Sequence, residues 1–352
     1  MKDLKKLIDQ LEEAIKDGGY IGGVQPIVWD ILEIAKSGGD ISSALSALNK
    51  AKDNHGCDHG CPVDSTIAET EAFYYKNTND KKKISGLLNS ESRSVKLGTI
   101  HALETKFESD PESLSLVIKK LADEDDVVRV DTSTILGLFA KKSKENSKLV
   151  LDEIKRANLD RNIREVKIAI WVCRGFDVKR ITSELKNKDD TIRLDAAESV
   201  AHFAFFEEYD IKELISALTS ALGDSNESVK ENTAEALEHA AIRKIELPVS
   251  DLTKILDDKN DNVRTHVAGA LTIYYGNNKQ WSKCVEFLKN KDENIRKGCA
   301  SGLEYFFRMA YWDKKLNKDV RAILLEIDKA SIDKNLPEVK EVIRKGNERL
   351  NS

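Results

Sequence analysis

Seven segments of this chain share one short grammar, and that repetition constrains its fold more than any other feature. Aligning the chain on the apolar residue that precedes a Lys or Arg puts Val95, Val128, Ile163, Ile192, Val229, Val263 and Ile295 in register, with steps of 33, 35, 29, 37, 34 and 32 residues. A weaker eighth copy sits at Val339 in "LPEVKEVI", after a step of 44. Periods of this size signal stacked supersecondary units, each of which can bury its apolar face only against its neighbours.

The register extends to both sides of the anchor. Seven residues before it stands Leu88, Leu121, Leu185, Leu222, Leu256 or Leu288, and eight after it Leu103, Leu136, Trp171, Val200, Leu237, Leu271 or Leu303. The third repeat departs, with Arg156 where the upstream Leu belongs. Each unit therefore reads as a helical hairpin. An acidic or amide turn such as "NDNVRTHVAGAL" caps its second helix, with Asp126, Asp190 and Asp261 as expected N-caps. The buried stripe continues 4, 7, 8 and 11 residues past the anchor. Ala197, Ala234, Ala268 and Ala300 let neighbouring helices approach, and the Arg beside each anchor can reach an acid in its own or the next turn.

This pattern of Leu, acidic turn, Val/Ile, Arg/Lys, small residue, Ala and Leu resembles the HEAT-repeat family over about residues 80–350. The resemblance implies an all-α fold, a right-handed α-α superhelix of the HEAT-type solenoid whose second helices line the concave side. The expected hairpins are 80–107, 111–141, 145–176, 178–207, 210–243, 249–275, 279–311 and 317–349. Residues 1–78 lack the register and read as four helices, near 2–17, 25–37, 40–53 and 65–78, forming an N-terminal helical cap. The expected domains are thus 1–78 and 79–352. "GGYIGG" (18–23) reads as a turn between two helices, since no strand precedes it and no Lys-Ser/Thr follows.

Charge narrows the partners. The 352 residues carry a net charge of −5, so bulk attraction to nucleic acid or anionic membrane is missing. Residues 1–78 hold 8 Lys/Arg and 13 Asp/Glu, so the whole excess lies there and the rest of the chain is neutral. No apolar stretch is long enough to span a bilayer. The charged first helix lacks the core of a signal peptide, and Cys173, Cys284 and Cys299 lie far apart inside helical patterns. Reduced thiols and a cytoplasmic protein are expected.

Positions 3, 6 and 10 past the anchor should face out of the second helices into the groove. They supply His101, Asp131, Thr134, Asp195, Glu198, His202, Asn232, Glu235, His239, His266, Ser301 and Tyr305, with Glu304 beside them. The four histidines after residue 78 fall on this strip among carboxylates, and Glu198/His202 and Glu235/His239 share one helix face at four-residue spacing. Three readings follow: a solvated polar groove, a docking face for a cationic protein, or a metal site with Glu/His ligands. HEAT-like hydroxylases ligate iron through His-Glu dipeptides, and none occurs in this chain. HEAT-like DNA glycosylases need a basic groove, which this acidic strip is not.

"HGCDHGCPVD" (55–64) places His55, Cys57, His59 and Cys61 at alternate positions between two helices. It reads as incidental thiols in a Gly-rich loop, as a structural zinc site, or as a Cys57–Cys61 redox pair. The aromatic pairs Phe205-Phe206, Tyr274-Tyr275 and Phe306-Phe307 read as core, and the cluster running to Trp312 is large enough to leave some of it as a contact patch. The leading expectation is a non-enzymatic scaffold, adaptor or inhibitor that grips another protein, with a basic surface or helix, through Asp131, Asp195, Glu198, His202, Asn232, Glu235, His239, His266, Glu304 and Tyr305. No cofactor is expected beyond zinc at the Cys/His loop. The alternative is a metal-binding protein or metalloenzyme with groove Glu/His ligands.

Overall fold

The computed structural model describes residues 3–17, 21–54 and 62–351. Among them the chain forms 20 α-helices and no strand. The first four are α1 (Leu4–Lys16), α2 (Ile21–Lys36), α3 (Leu45–Asn54) and α4 (Pro62–Asn77). Eight hairpins follow: α5 (Lys81–Leu88) with α6 (Arg93–Glu104), α7 (Pro111–Ile118) with α8 (Asp126–Lys141), α9 (Lys144–Ala157) with α10 (Arg164–Arg174), and α11 (Val178–Glu184) with α12 (Asp190–Ala204). The others are α13 (Ile215–Ala221) with α14 (Glu227–Ile242), α15 (Val249–Ile255) with α16 (Asp261–Asn277), α17 (Trp281–Glu286) with α18 (Glu293–Trp312), and α19 (Asn317–Lys329) with α20 (Pro337–Asn351). No described helix is long and apolar enough to cross a membrane.

The chain packs as two compact units, residues 1–175 and 176–352. In the first, α2, α4, α6, α8 and α10 stack in a row, and in the second α12, α14, α16, α18 and α20 do the same. The odd-numbered helices pack beside them as the first arms of the hairpins. The architecture is a helical-hairpin repeat array. Although α1–α4 lack the sequence register, they pair and stack in the same manner as the later hairpins, around Leu11, Val28, Ile31, Leu48 and Ile67. Of the expected turn over residues 18–23, positions 21–23 are helical, because α2 begins at Ile21, and 18–20 lie outside the described residues.

The anchors explain the hairpins. Val95, Val128, Val229, Val263 and Val339 are fully buried, and Ile295 nearly so. Four residues on, Thr99, Thr132 and Thr233 are also fully buried, and each donates its hydroxyl to the anchor carbonyl (2.7, 2.6 and 2.6 Å). That bond removes the cost of burying a hydroxyl. Two anchors differ from the sequence reading. Ile192 is 38% exposed. In the third repeat Ile163 is the N-cap rather than the anchor, and Val166 takes the buried place. Asn158 ends α9 in the left-handed region (φ 49°), so the second helix starts late. Counting from Val166 puts Leu159, not Arg156, seven residues upstream, while the position eight downstream becomes the exposed Arg174.

The caps lie one residue earlier than expected. Asp125, Asp189 and Asn260 hold extended backbone and accept the helix N–H groups, while Asp126, Asp190 and Asp261 are the first helical residues. Asn226 and Asp292 cap α14 and α18 in the same way. Each cap satisfies orphan donors for about 1 kcal/mol.

The basic residue after the anchor ties one repeat to the next. Lys96 reaches Asp123 at 2.8 Å and Arg129 reaches Glu165 at 3.1 Å in the first unit. In the second, Arg193 binds Asp224 through two nitrogens (2.6 and 3.0 Å), Lys230 reaches Asp258 at 2.9 Å, and Arg264 lies 3.0 Å from Asp292. Arg296 reaches Glu338 at 3.3 Å. The arginines also donate back into their own turn: Arg193 to the carbonyls of Asn187 and Lys188, and Arg296 to those of Asn290 and Lys291.

Glycines set the closest helix approaches. A Cβ on Gly98 would strike the Ser65 carbonyl of α4, and one on Gly298 the Thr265 carbonyl of α16. Both stand three residues past the anchor. Gly298→Ala is expected to destabilise the protein by about 1–3 kcal/mol through overpacking. Gly86→Ala, with open space around it, should stabilise by about 0.4–1 kcal/mol. Urea unfolding of the two variants reads both signs. Arg193→Lys keeps the charge but not the fork, and should cost about 1.5–3 kcal/mol in the same assay.

Candidate functional site

The outward strip is present, but not along its whole expected length. In α8, α12 and α14 the side chains of Asp131, Asp195, Glu198, His202, Asn232, Glu235 and His239 are half-buried, at the helix face left open by the core. At the equivalent positions Gly98, Gly269, Ile273 and Gly298 are buried against neighbouring helices instead. The strip is therefore broad on α12 and α14 and narrows on α16 and α18.

Neighbouring helices join their polar groups across this face. In the first unit, His101 Nε2 lies 3.0 Å from Asp131 Oδ2. In the second, His266 Nδ1 lies 2.7 Å from Glu238 Oε2. Glu238 was not among the expected strip residues. Gly269 gives it room, since a Cβ there would collide with its carboxylate. The bond to Asp131 raises the pKa of His101, and the bond to Glu238 raises that of His266, with Glu235 and Glu231 adding to the second. Within α14, His239 Nε2 is 3.7 Å from Glu235 Oε1, and Asn232 donates to the Ser228 carbonyl at 2.8 Å.

Aromatic rings border the strip where the sequence predicts core. Phe306 and Phe307 are buried as expected, but Phe205 and Phe206 are 67% and 40% exposed. Phe205 meets the His239 ring edge-on at 5.5 Å, and Phe206 meets His202 at 5.2 Å. Their place at the end of α12, past the last buried position, is the reason. Tyr305 is half-buried and packs against the cores on both sides of α18, and burial raises its pKa. Glu304 turns toward α20, where Lys345 holds it at 2.6 Å.

Among the described residues, no three His, Cys, Asp or Glu side chains are grouped so as to hold a metal ion. His55, Cys57, His59 and Cys61 lie outside the described residues. Cys173, Cys284 and Cys299 are buried free thiols. Burial pushes Cys173 and Cys299 up to about 12 and Cys284 higher still, so all three stay protonated near neutrality.

No family model matches the chain, and no curated protein matches it. Solved structures do. An engineered protein is similar over 100% of both chains, at 18% identity and a TM-score of 0.36. Kap95p, from a structure describing its binding to RanGDP, aligns with 99% of this chain and 51% of its own, at 12% identity and TM-score 0.45. A designed armadillo repeat protein in complex with the peptide (KR)4 aligns with 68% of this chain and 99% of its own, at 16% identity and TM-score 0.35. All three TM-scores lie below 0.5, and the repeat architecture is carried by the packing of this chain's own helices.

The His266–Glu238 pair makes stability depend on pH. A histidine whose folded pKa is raised contributes stability that is fully present below its unfolded value of about 6.5 and is lost as pH rises through the folded value. The gap in urea midpoint between the wild type and His266→Gln should therefore be wider at pH 6 than at pH 9. An equal gap at both would show that the pair adds no proton-linked stability.

Proposed function

We propose that this chain is a non-enzymatic protein-interaction scaffold that grips a partner's basic helix or Lys/Arg-rich loop on the open face of α12 and α14. The observation that supports the reading is the density of carboxylates on that face. Asp195 and Glu198 on α12 and Glu231, Glu235 and Glu238 on α14 stand on second helices that pack against each other. Arg193 and Lys230 of the same helices are drawn to the turns, onto Asp224 and Asp258. Carboxylates gathered this way attract cations, speed encounter and discourage acidic partners.

The border fits the same ligand. Exposed Phe205 beside His239 gives a cationic side chain an aromatic face to lie on, and Lys and Arg stems are themselves apolar. In the second unit His266 extends the polar surface and Tyr305 ends it on α18, while His101 and Asp131 form a polar pair of their own in the first unit. In this reading α1–α4 close the N-terminal end of the array as a cap.

The test uses a fluorescein-labelled helical peptide rich in Arg and Lys, followed by anisotropy. Binding should weaken steeply with added salt. The triple variant Asp195→Lys/Glu198→Lys/Glu235→Lys, with helicity checked by circular dichroism, should lose at least about tenfold in affinity, or about 1.4 kcal/mol. Unchanged affinity in the folded triple variant would sink this reading.

A further inference from the structure

The C-terminal end of the array carries a second surface of opposite character. Helix α18 has 20 residues, against 16 in α14 and 17 in α16. Its extra turn carries Met309, Tyr311 and Trp312 into solvent, 40%, 64% and 81% exposed. Contiguous large apolar side chains on a surface mark a contact site.

Between that turn and α20 lies a cavity of about 430 Å3. Phe307, Tyr311 and Trp312 supply its apolar lining, and Arg308, Lys345 and Arg349 line it with positive charge. Arg349 is only 8% exposed, donates to the Ala310 carbonyl at 2.7 Å, and sets its guanidinium 5.6 Å from the Tyr311 ring centre. Glu304 is the single carboxylate in the lining, bonded to Lys345, which also lies 3.3 Å from Glu341. The lining itself thus carries three cations and one carboxylate, in a chain of net charge −5.

We propose that this cavity docks an acidic segment of a partner protein, which lays one large apolar side chain against Tyr311 and Trp312 and sets flanking carboxylates toward Arg308. Charge complementarity selects the sign, and guanidinium pairs well with carboxylate. The exposure of Trp312 selects a chain segment over a small molecule. A small ligand here would stay largely uncovered, whereas pockets for such ligands bury most of the ligand surface. Trp, Tyr and Arg are also the side chains that dominate protein interfaces.

The test uses the full chain and a fluorescein-labelled decapeptide alternating glutamate and phenylalanine. It should bind with salt-dependent affinity, weakened about tenfold or more by Trp312→Ala and by Arg308→Glu. Both positions are exposed, so the variants keep their fold. A decapeptide with lysine in place of glutamate should be indifferent to Trp312→Ala. No binding of the acidic peptide, or binding by both variants as tight as by the wild type, overturns the proposal. Indole-3-acetate binding as tightly as the peptide would also overturn it, in favour of a small-molecule pocket.

Discussion

The fold depends on one cation placed directly after the anchor in most repeats. Where that cation is arginine, its head group does two things at once. It closes the turn of its own repeat by donating to carbonyls such as those of Asn187 and Lys188, and it pairs with the acid of the next repeat, as Arg193 does with Asp224. Lys96, Lys230 and Arg296 are almost fully buried, and a buried charge is tolerated only when paired. Removing one partner of such a pair costs about 3–5 kcal/mol. The spacing from anchor to cation to acid is therefore held by electrostatics as well as by apolar packing. That is why the sequence period is visible at all.

The same arrangement prepares the open face. Arg193 and Lys230 are drawn toward the turns, and the middle of α12 and α14 carries carboxylates, histidines and rings. Small residues set how far that face extends. Where alanine or a hydrogen-bonded threonine follows the anchor, polar side chains three and six positions on stay half open. Where Gly269, Gly298 and Gly302 stand, the helices close up, and Glu238 is pressed onto His266.

Much of this was legible in the sequence, and the exceptions have physical causes. The hairpins were readable because Leu, Val and Ala recur at fixed offsets. Acidic doublets such as Asp125-Asp126 hid the caps. Either residue has a capping side chain, and only backbone conformation tells which one stays outside the helix. Ile163-Arg164 imitates the anchor pair, while the left-handed turn at Asn158 moves the real anchor to Val166. The site was less legible than the fold. Histidine–carboxylate pairs between helices join residues about one repeat apart, and periodicity on one helix does not identify the partner on the next. The exposure of Phe205 was hidden for a related reason: it follows the last core position of α12, where apolar character no longer implies burial.

The row α12 to α20 bears load in series, because each helix touches chiefly the next. A chain of springs in series deforms most at its weakest link. The step from α16 to α18, closed by glycines, has the most extensive contact of the row, and the step from α18 to α20 the least. Across that step the first arms add to the joint, since α19 packs against both α17 and α18. The aromatic cavity lies where the second helices part, so its opening depends on how α19 holds α20.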